Sequence, residues 1–189
     1  MHETARVPYF KGPDYKAVRL PYRNSGLSLL VLLPDRRDGL EDLEWVLSPS
    51  MLTACLEVQA QCKVKIYLPR FKITAKSYNL NGLLSQLGMP LAFRSGQADF
   101  SGINGRRPPD DDSLFIGRFL HQAFTAANEA GTEAAAASLA AVKGTGRPPE
   151  VAPPIPEFRA DHPFLFAISD RNTGAILFLG RVSDPTLGP

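Results

Sequence analysis

The chain has 189 residues, 44% apolar and 21% charged, which suffices for one buried core and is ordinary globular composition. Its net charge of +2 comes from scattered basic residues, which excludes the basic face that nucleic acid or an anionic membrane requires. Two cysteines and three widely separated histidines exclude a disulfide framework and a metal centre, and no cofactor is expected.

Met1-His2-Glu3-Thr4-Ala5-Arg6 lacks the apolar segment of a secretion signal, and no apolar run reaches bilayer length. Val18–Tyr22 and Leu27–Leu33 read as a hairpin turning at Asn24-Ser25-Gly26, and the continuous apolar run of the second strand predicts burial on both faces. In Asp38–Leu47, Leu40, Leu43 and Leu47 fall at helical spacing, predicting a short helix that ends before Pro49. Ser50 is expected to cap a second helix with Leu52, Cys55 and Leu56 inward. Cys55 and Cys62 can pair or stay as two thiols. Lys63–Leu68 alternates, with Val64, Ile66 and Leu68 on one side. Beyond Pro69 the apolar positions shift to Phe71 and Ile73, which a bulge or bend at Pro69-Arg70 explains.

Tyr78–Leu87 is expected to be helical, stopped by Gly88-Met89-Pro90. Arg106–Asp112 reads as an exposed loop, with Asp110–Asp112 a solvated charge run rather than a cation site. Leu114–Asn128 reads as extended. Gly144–Pro156, with five prolines and two glycines, holds no regular structure. Phe164–Ile168 and Ile176–Val182 predict a closing pair of strands around a turn at Asp170–Gly174. Strands with small inserted helices and no βαβ alternation define an α+β class. Without a Gly-x-Ser-x-Gly elbow or a similar motif, a hydrolase is not expected.

Two segments carry the functional signal. Residues 128–138 read Asn-Glu-Ala-Gly-Thr-Glu-Ala-Ala-Ala-Ala-Ser, and Phe158-Arg-Ala-Asp-His-Pro-Phe-Leu-Phe-Ala-Ile168 follows about twenty residues later. By propensity alone Glu133–Val142 is the best helix former in the chain. The same small side chains suit a strand that slides between two others, where bulk would clash and charge would be buried, with Gly131 as pivot. These segments resemble the reactive-loop hinge and the C-terminal signature of the serpins, inhibitors of serine proteases. Leu68-Pro-Arg-Phe-Lys-Ile-Thr74, Leu84-Ser-Gln-Leu-Gly-Met89, Ala98-Asp-Phe-Ser-Gly-Ile103, His121-Gln-Ala-Phe124 and Phe178-Leu-Gly-Arg-Val182 carry the resemblance in order from Met1 to Pro185.

The resemblance implies a single partial serpin domain over residues 1–189. It would hold mixed and antiparallel strands of sheets B and C, the last strands of sheet A, short helices and an exposed reactive loop at about 129–157. The N-terminal half of the family's fold has no counterpart in this sequence. The implied activity is suicide inhibition of a serine or cysteine protease, outside the cell, with no catalytic residue. Glu129, Gly131, Thr132 and Glu133 would form the hinge, and Ala134, Ala135, Ala136 and Ala137 the inserting strand. Counting along the loop places the scissile bond at Thr145-Gly146, with Lys143 and Arg147 as basic alternatives. His121 and Arg70 would control sheet opening, Arg70 by pairing with Glu129. His162 is expected to be structural. With the covering half absent, Leu29–Leu33 is expected to show an open apolar face. The competing reading is a truncated or non-inhibitory serpin piece that only binds or supports.

Overall fold

The computed structural model describes residues 2–23, 25–74, 76–127 and 154–186. The chain divides into two compact units, residues 1–72 with 126–189 and residues 73–125.

The first unit is built on strands β1 (His2–Lys11), β2 (Tyr15–Pro21) and β3 (Leu27–Pro34), then helices α1 (Leu40–Val46) and α2 (Pro49–Glu57), then β4 (Gln61–Tyr67). Strand β5 (Phe71–Thr74) leaves it. In the second unit follow β6 (Tyr78–Asn79), α3 (Asn81–Gln86), α4 (Ser101–Asn104) and β7 (Leu120–His121), and β8 (Phe124–Ala127) leads back. Strands β9 (Glu157–Arg159), β10 (Phe164–Asp170) and β11 (Ile176–Val182) complete the first unit.

Seven strands form one sheet in the order β11-β10-β3-β2-β1-β4-β9. Every pairing in it is antiparallel except β4 with β9. The long β1 carries the sheet across, pairing His2–Pro8 with β4 and Tyr9–Lys11 with β2. Sequence reading assigned no strand here, because Glu3, Arg6 and Pro8 interrupt the apolar pattern. Ala5 and Val7 are nevertheless buried, since β4 lies alongside.

Strand β3 is the centre of the core. On one face Leu30 and Leu32 meet Ala17, Leu165 and Ala167, and the helices close over them with Leu40, Leu43, Leu52 and Cys55. On the other face Leu29, Val31, Val18, Phe164 and Phe166 are buried, and the Phe71 ring packs on Phe164 at 5.7 Å and on Phe166 at 5.1 Å. Each such side chain contributes about 1.5–3 kcal/mol by leaving water. Leu29–Leu33 is therefore no more than 2% exposed, and the expected open face is not there. Exposed apolar residues of this unit include Trp45 on α1, 90% exposed, and Ile176, Leu177, Phe178 and Leu179 on the edge strand β11, 39–51% exposed. An interior strand is covered by its own neighbours and helices. An edge strand has a neighbour on one side only.

Local chemistry sets the helix ends. Ser48, not Ser50, caps α2: its hydroxyl accepts the Met51 N–H at 3.2 Å, and Pro49 occupies the first turn. The Arg19 guanidinium donates to the Leu56 and Val58 carbonyls and so closes the other end of α2. Cys55 and Cys62 are both free thiols, and burial pushes each thiol up from its ordinary value.

In the second unit the expected helix over Tyr78–Leu87 is shorter. Tyr78 and Asn79 pair with His121 and Leu120, and the Asn79 side chain accepts the Asn81 N–H at 3.1 Å, turning the chain before α3 begins. Asn81 then pins the returning chain, donating to the Gly117 carbonyl at 2.9 Å and accepting from Phe119 N–H at 2.7 Å. The expected extended run Leu114–Asn128 is regular strand only over β7 and β8 among its described residues. Gly88 ends α3 with a φ of 107°, as its position after the apolar pattern suggests.

Candidate functional site

The hinge residues Glu129, Gly131, Thr132, Glu133 and Ala134–Ala137 lie outside the described residues. So do Thr145, Gly146, Lys143 and Arg147 of the expected scissile region. The structure does describe the two strands that lead into and out of this segment.

Strand β8 leads in. It pairs with β5, which is its strand neighbour among the described residues. His121 stands just before it on β7, opposite Tyr78. Its side chain is exposed. Arg70 is exposed, between Pro69 and the first residue of β5. Its expected partner Glu129 lies outside the described residues.

Strand β9 leads out, and it is tightly built. It runs parallel to β4, with Glu157, Phe158 and Arg159 opposite Lys65, Ile66 and Tyr67. Lys65 N–H donates to the Pro156 carbonyl at 2.9 Å, and Ala160 N–H to the Tyr67 carbonyl at 2.8 Å. Phe158 is fully buried. Outside, the Arg159 guanidinium lies 3.8 Å from the Tyr67 ring centre, and His2 stacks on the same ring at 4.3 Å. Glu157 accepts from Arg159 Nε at 2.7 Å. The Arg159–Tyr67–His2 stack escaped sequence reading because its members come from three separate strands.

The turn after β9 is a polar clamp. His162 Nε2 donates to the Pro34 carbonyl at 2.7 Å, and its Nδ1 lies 2.7 Å from Asp161 Oδ1. Arg37 approaches Asp161 at 2.7 Å from the end of β3. The His162 hydrogen bond, aided by the Arg37 charge, holds the Asp161 carboxyl below its usual range. Asp161 and His162 thus tie the end of β9 to the central strand of the core, the structural role expected of His162.

The chain passes from β8, through a sequence rich in small residues, to the parallel edge strand β9. The comparisons give it a family. The serpin (serine protease inhibitor) family model matches residues 1–185, and the chain belongs to that family. It is 39% identical over 189 residues to serpin B10 of Bos taurus, covering 98% of this chain and 44% of that protein. It is 39% identical to an uncharacterized serpin-like protein of Thermococcus kodakarensis, covering 100% of this chain and 42% of that one. The leukocyte elastase inhibitor of Xenopus laevis is 38% identical, with 98% and 48% covered. Among solved structures, uncleaved ovalbumin superposes with a TM-score of 0.71 at 34% identity, covering 96% of this chain and 43% of that one. A thermophilic serpin, tengpin, in its native state gives 0.72 at 27%, with 96% and 45% covered. The chain thus spans less than half the length of these relatives.

Proposed function

We propose that the protein carrying this chain inhibits serine proteases as a suicide substrate. The observation that carries the proposal is the small-residue run Ala134–Ser138, after Gly131-Thr132-Glu133, in the segment joining β8 to β9. The family membership and the printed name of one relative, leukocyte elastase inhibitor, support it.

The target's serine attacks the carbonyl of the scissile residue, and the amide bond breaks with formation of an ester to the enzyme. The leaving amine departs with the β9 side, which the Phe158 burial and the Asp161–His162 clamp hold in place. The freed hinge, led by Thr132, then inserts beside β8 as a new strand, carrying the esterified protease with it. Loop insertion in serpins is itself a known instance of such a conformational switch. Thr145-Gly146 suits an elastase-like or subtilisin-like enzyme, and Lys143 a trypsin-like one. A cysteine protease would form a thioester by the same route. The chain supplies a substrate segment and one side of the receiving sheet, not a catalytic group.

The test is to mix the whole protein with elastase-like, subtilisin-like and trypsin-like enzymes and look for a covalent one-to-one complex stable in detergent. Cleavage with every enzyme and a complex with none overturns the proposal. That result would favour the second reading, a non-inhibitory piece whose exposed β11 edge is there to be covered by another polypeptide.

A further inference from the structure

We propose that the cavity between the β1–β2 turn, the end of β3 and helix α1 binds an organic cation, an amine carried on a compact apolar body. The cavity measures about 530 Å³, within the range of small-molecule sites. All its walls belong to residues 13–46 of the first unit.

The floor is apolar and fixed. Leu43 and Pro34 are buried, and Val46 flanks them on the next turn of α1. The Tyr15 ring forms a side wall. It is held by its hydroxyl at 3.8 Å from Cys55 Sγ and by Phe10 at 5.7 Å between ring centres. Gly12 makes room for that ring, since a Cβ there would stand 2.5 Å from Tyr15 Cε1. A rotatable aromatic would be a poor wall; this one is pinned at both ends.

The rim is acidic, with Asp14, Asp35 and Asp42. Two of these carboxylates are already matched. Asp35 lies 3.0 Å from Lys11 and 3.7 Å from Lys16, and Asp42 lies 3.5 Å from Arg36. Arg36, the cation of the lining, is also engaged by Asp38 at 2.8 Å. Asp14 is different: its exposed carboxylate makes no direct ion pair with a described residue, and the charge that reaches it is that of Arg36, which Asp38 and Asp42 already share. The unmatched charge at this mouth is therefore negative. An anionic ligand would face three carboxylates and would have to draw Arg36 from two of them. A neutral apolar ligand would cover the floor and leave Asp14 with its share of Arg36 alone. A ligand with an apolar body and an ammonium group satisfies the floor and Asp14 together.

The experiment uses the full chain, ¹⁵N-labelled, titrated with naphthylmethylamine, its uncharged analogue naphthylmethanol and its anionic analogue naphthylacetate. The amine should give saturable shifts at the Tyr15, Leu43 and Val46 amides and bind about fivefold tighter than the alcohol, the scale of one partly exposed ion pair. Asp14→Asn, at an exposed turn tip, should remove that preference, and Asp14→Lys should abolish amine binding while sparing the alcohol. The proposal is overturned if the amine gives no saturable shifts at millimolar concentration. It is equally overturned if the three ligands bind alike, or if the amine's advantage survives in Asp14→Asn.

Discussion

Gly180 on the exposed edge strand β11 should be intolerant of a single methyl group. It stands directly opposite Phe166 of β10, and a Cβ built on it would lie 2.7 Å from Phe166 Cζ and 2.8 Å from Cε1. Carbon atoms rest at about 3.5–4.0 Å, so the ring must move by most of an ångström. It has nowhere to go: Phe166 is 2% exposed, opposite Val31 in the sheet and against Phe71 at 5.1 Å. Overpacking of this kind costs about 1–3 kcal/mol. Replacing a strand glycine returns about 0.5–1 kcal/mol through the lower entropy of the unfolded chain. From the middle of each range the net loss for Gly180→Ala is about 1 kcal/mol, a fall in Tm of about 2–4 °C for a chain of this size. Differential scanning calorimetry reads it directly. The cause is isolated by a double-mutant cycle: Phe166→Leu removes the colliding ring edge, so the double variant should be more stable than the sum of the single losses by about 1 kcal/mol. An unchanged or raised Tm in Gly180→Ala, or additive losses in the cycle, refutes the reasoning.

Ser48→Ala should lower stability by about 1 kcal/mol in chemical denaturation, while Ser50→Ala should change it by less than about 0.5 kcal/mol, because only Ser48 accepts the Met51 N–H. Asp161→Asn should destabilise the clamp in a pH-dependent way. The folded carboxyl of Asp161 titrates below its ordinary value, so its contribution is complete above about pH 4–5 and is lost as pH falls through the folded value; the Tm gap between native and variant should be constant near neutrality and close in acid. Leu177→Lys with Leu179→Lys should leave Tm nearly unchanged and reduce any self-association seen by sedimentation, since both side chains are about half exposed on β11. Thr132→Arg in the whole protein should turn inhibitor into substrate: cleavage persists while the covalent complex disappears, because an unpaired charge would have to be buried. A complex formed at full yield by that variant would show the hinge to be misassigned.

The short apolar runs were the most legible part of the sequence. Leu27–Leu33, Phe164–Ile168 and Ile176–Val182 announced strands because their side chains have no other plausible destination, and the Asp170–Gly174 turn follows from Gly174 at a φ of 73°. What the sequence did not disclose depends on partners distant along the chain. Strand β1 is apolar only at the positions β4 covers, so its pattern has no meaning until the pairing is known. Tyr78 and Asn79 have adequate helix-forming neighbours, and only Leu120 and His121, some forty residues away, make them a strand. The small-residue run suggests a hinge through its resemblance alone, since its intrinsic preference is helical.

The same distinction separates the two ends of the loop segment. On the β9 side, anchoring is visible as chemistry: Phe158 buried, Arg159 over Tyr67, and His162 bound to the carbonyl that ends β3. On the β8 side, one described strand, β5, lies alongside. A strand inserting beside β8 needs a second neighbour to satisfy its other row of N–H and C=O groups, because an unpaired buried row would cost more than insertion returns. On the proposed mechanism, trapping would therefore require the whole protein to supply that second neighbour. These 189 residues by themselves should be cut by a matching protease without retaining it. The assay is the same covalent-complex test run on the isolated chain. A stable one-to-one complex there would mean that β5 and β8 alone can receive the hinge, and the argument from strand pairing would fall.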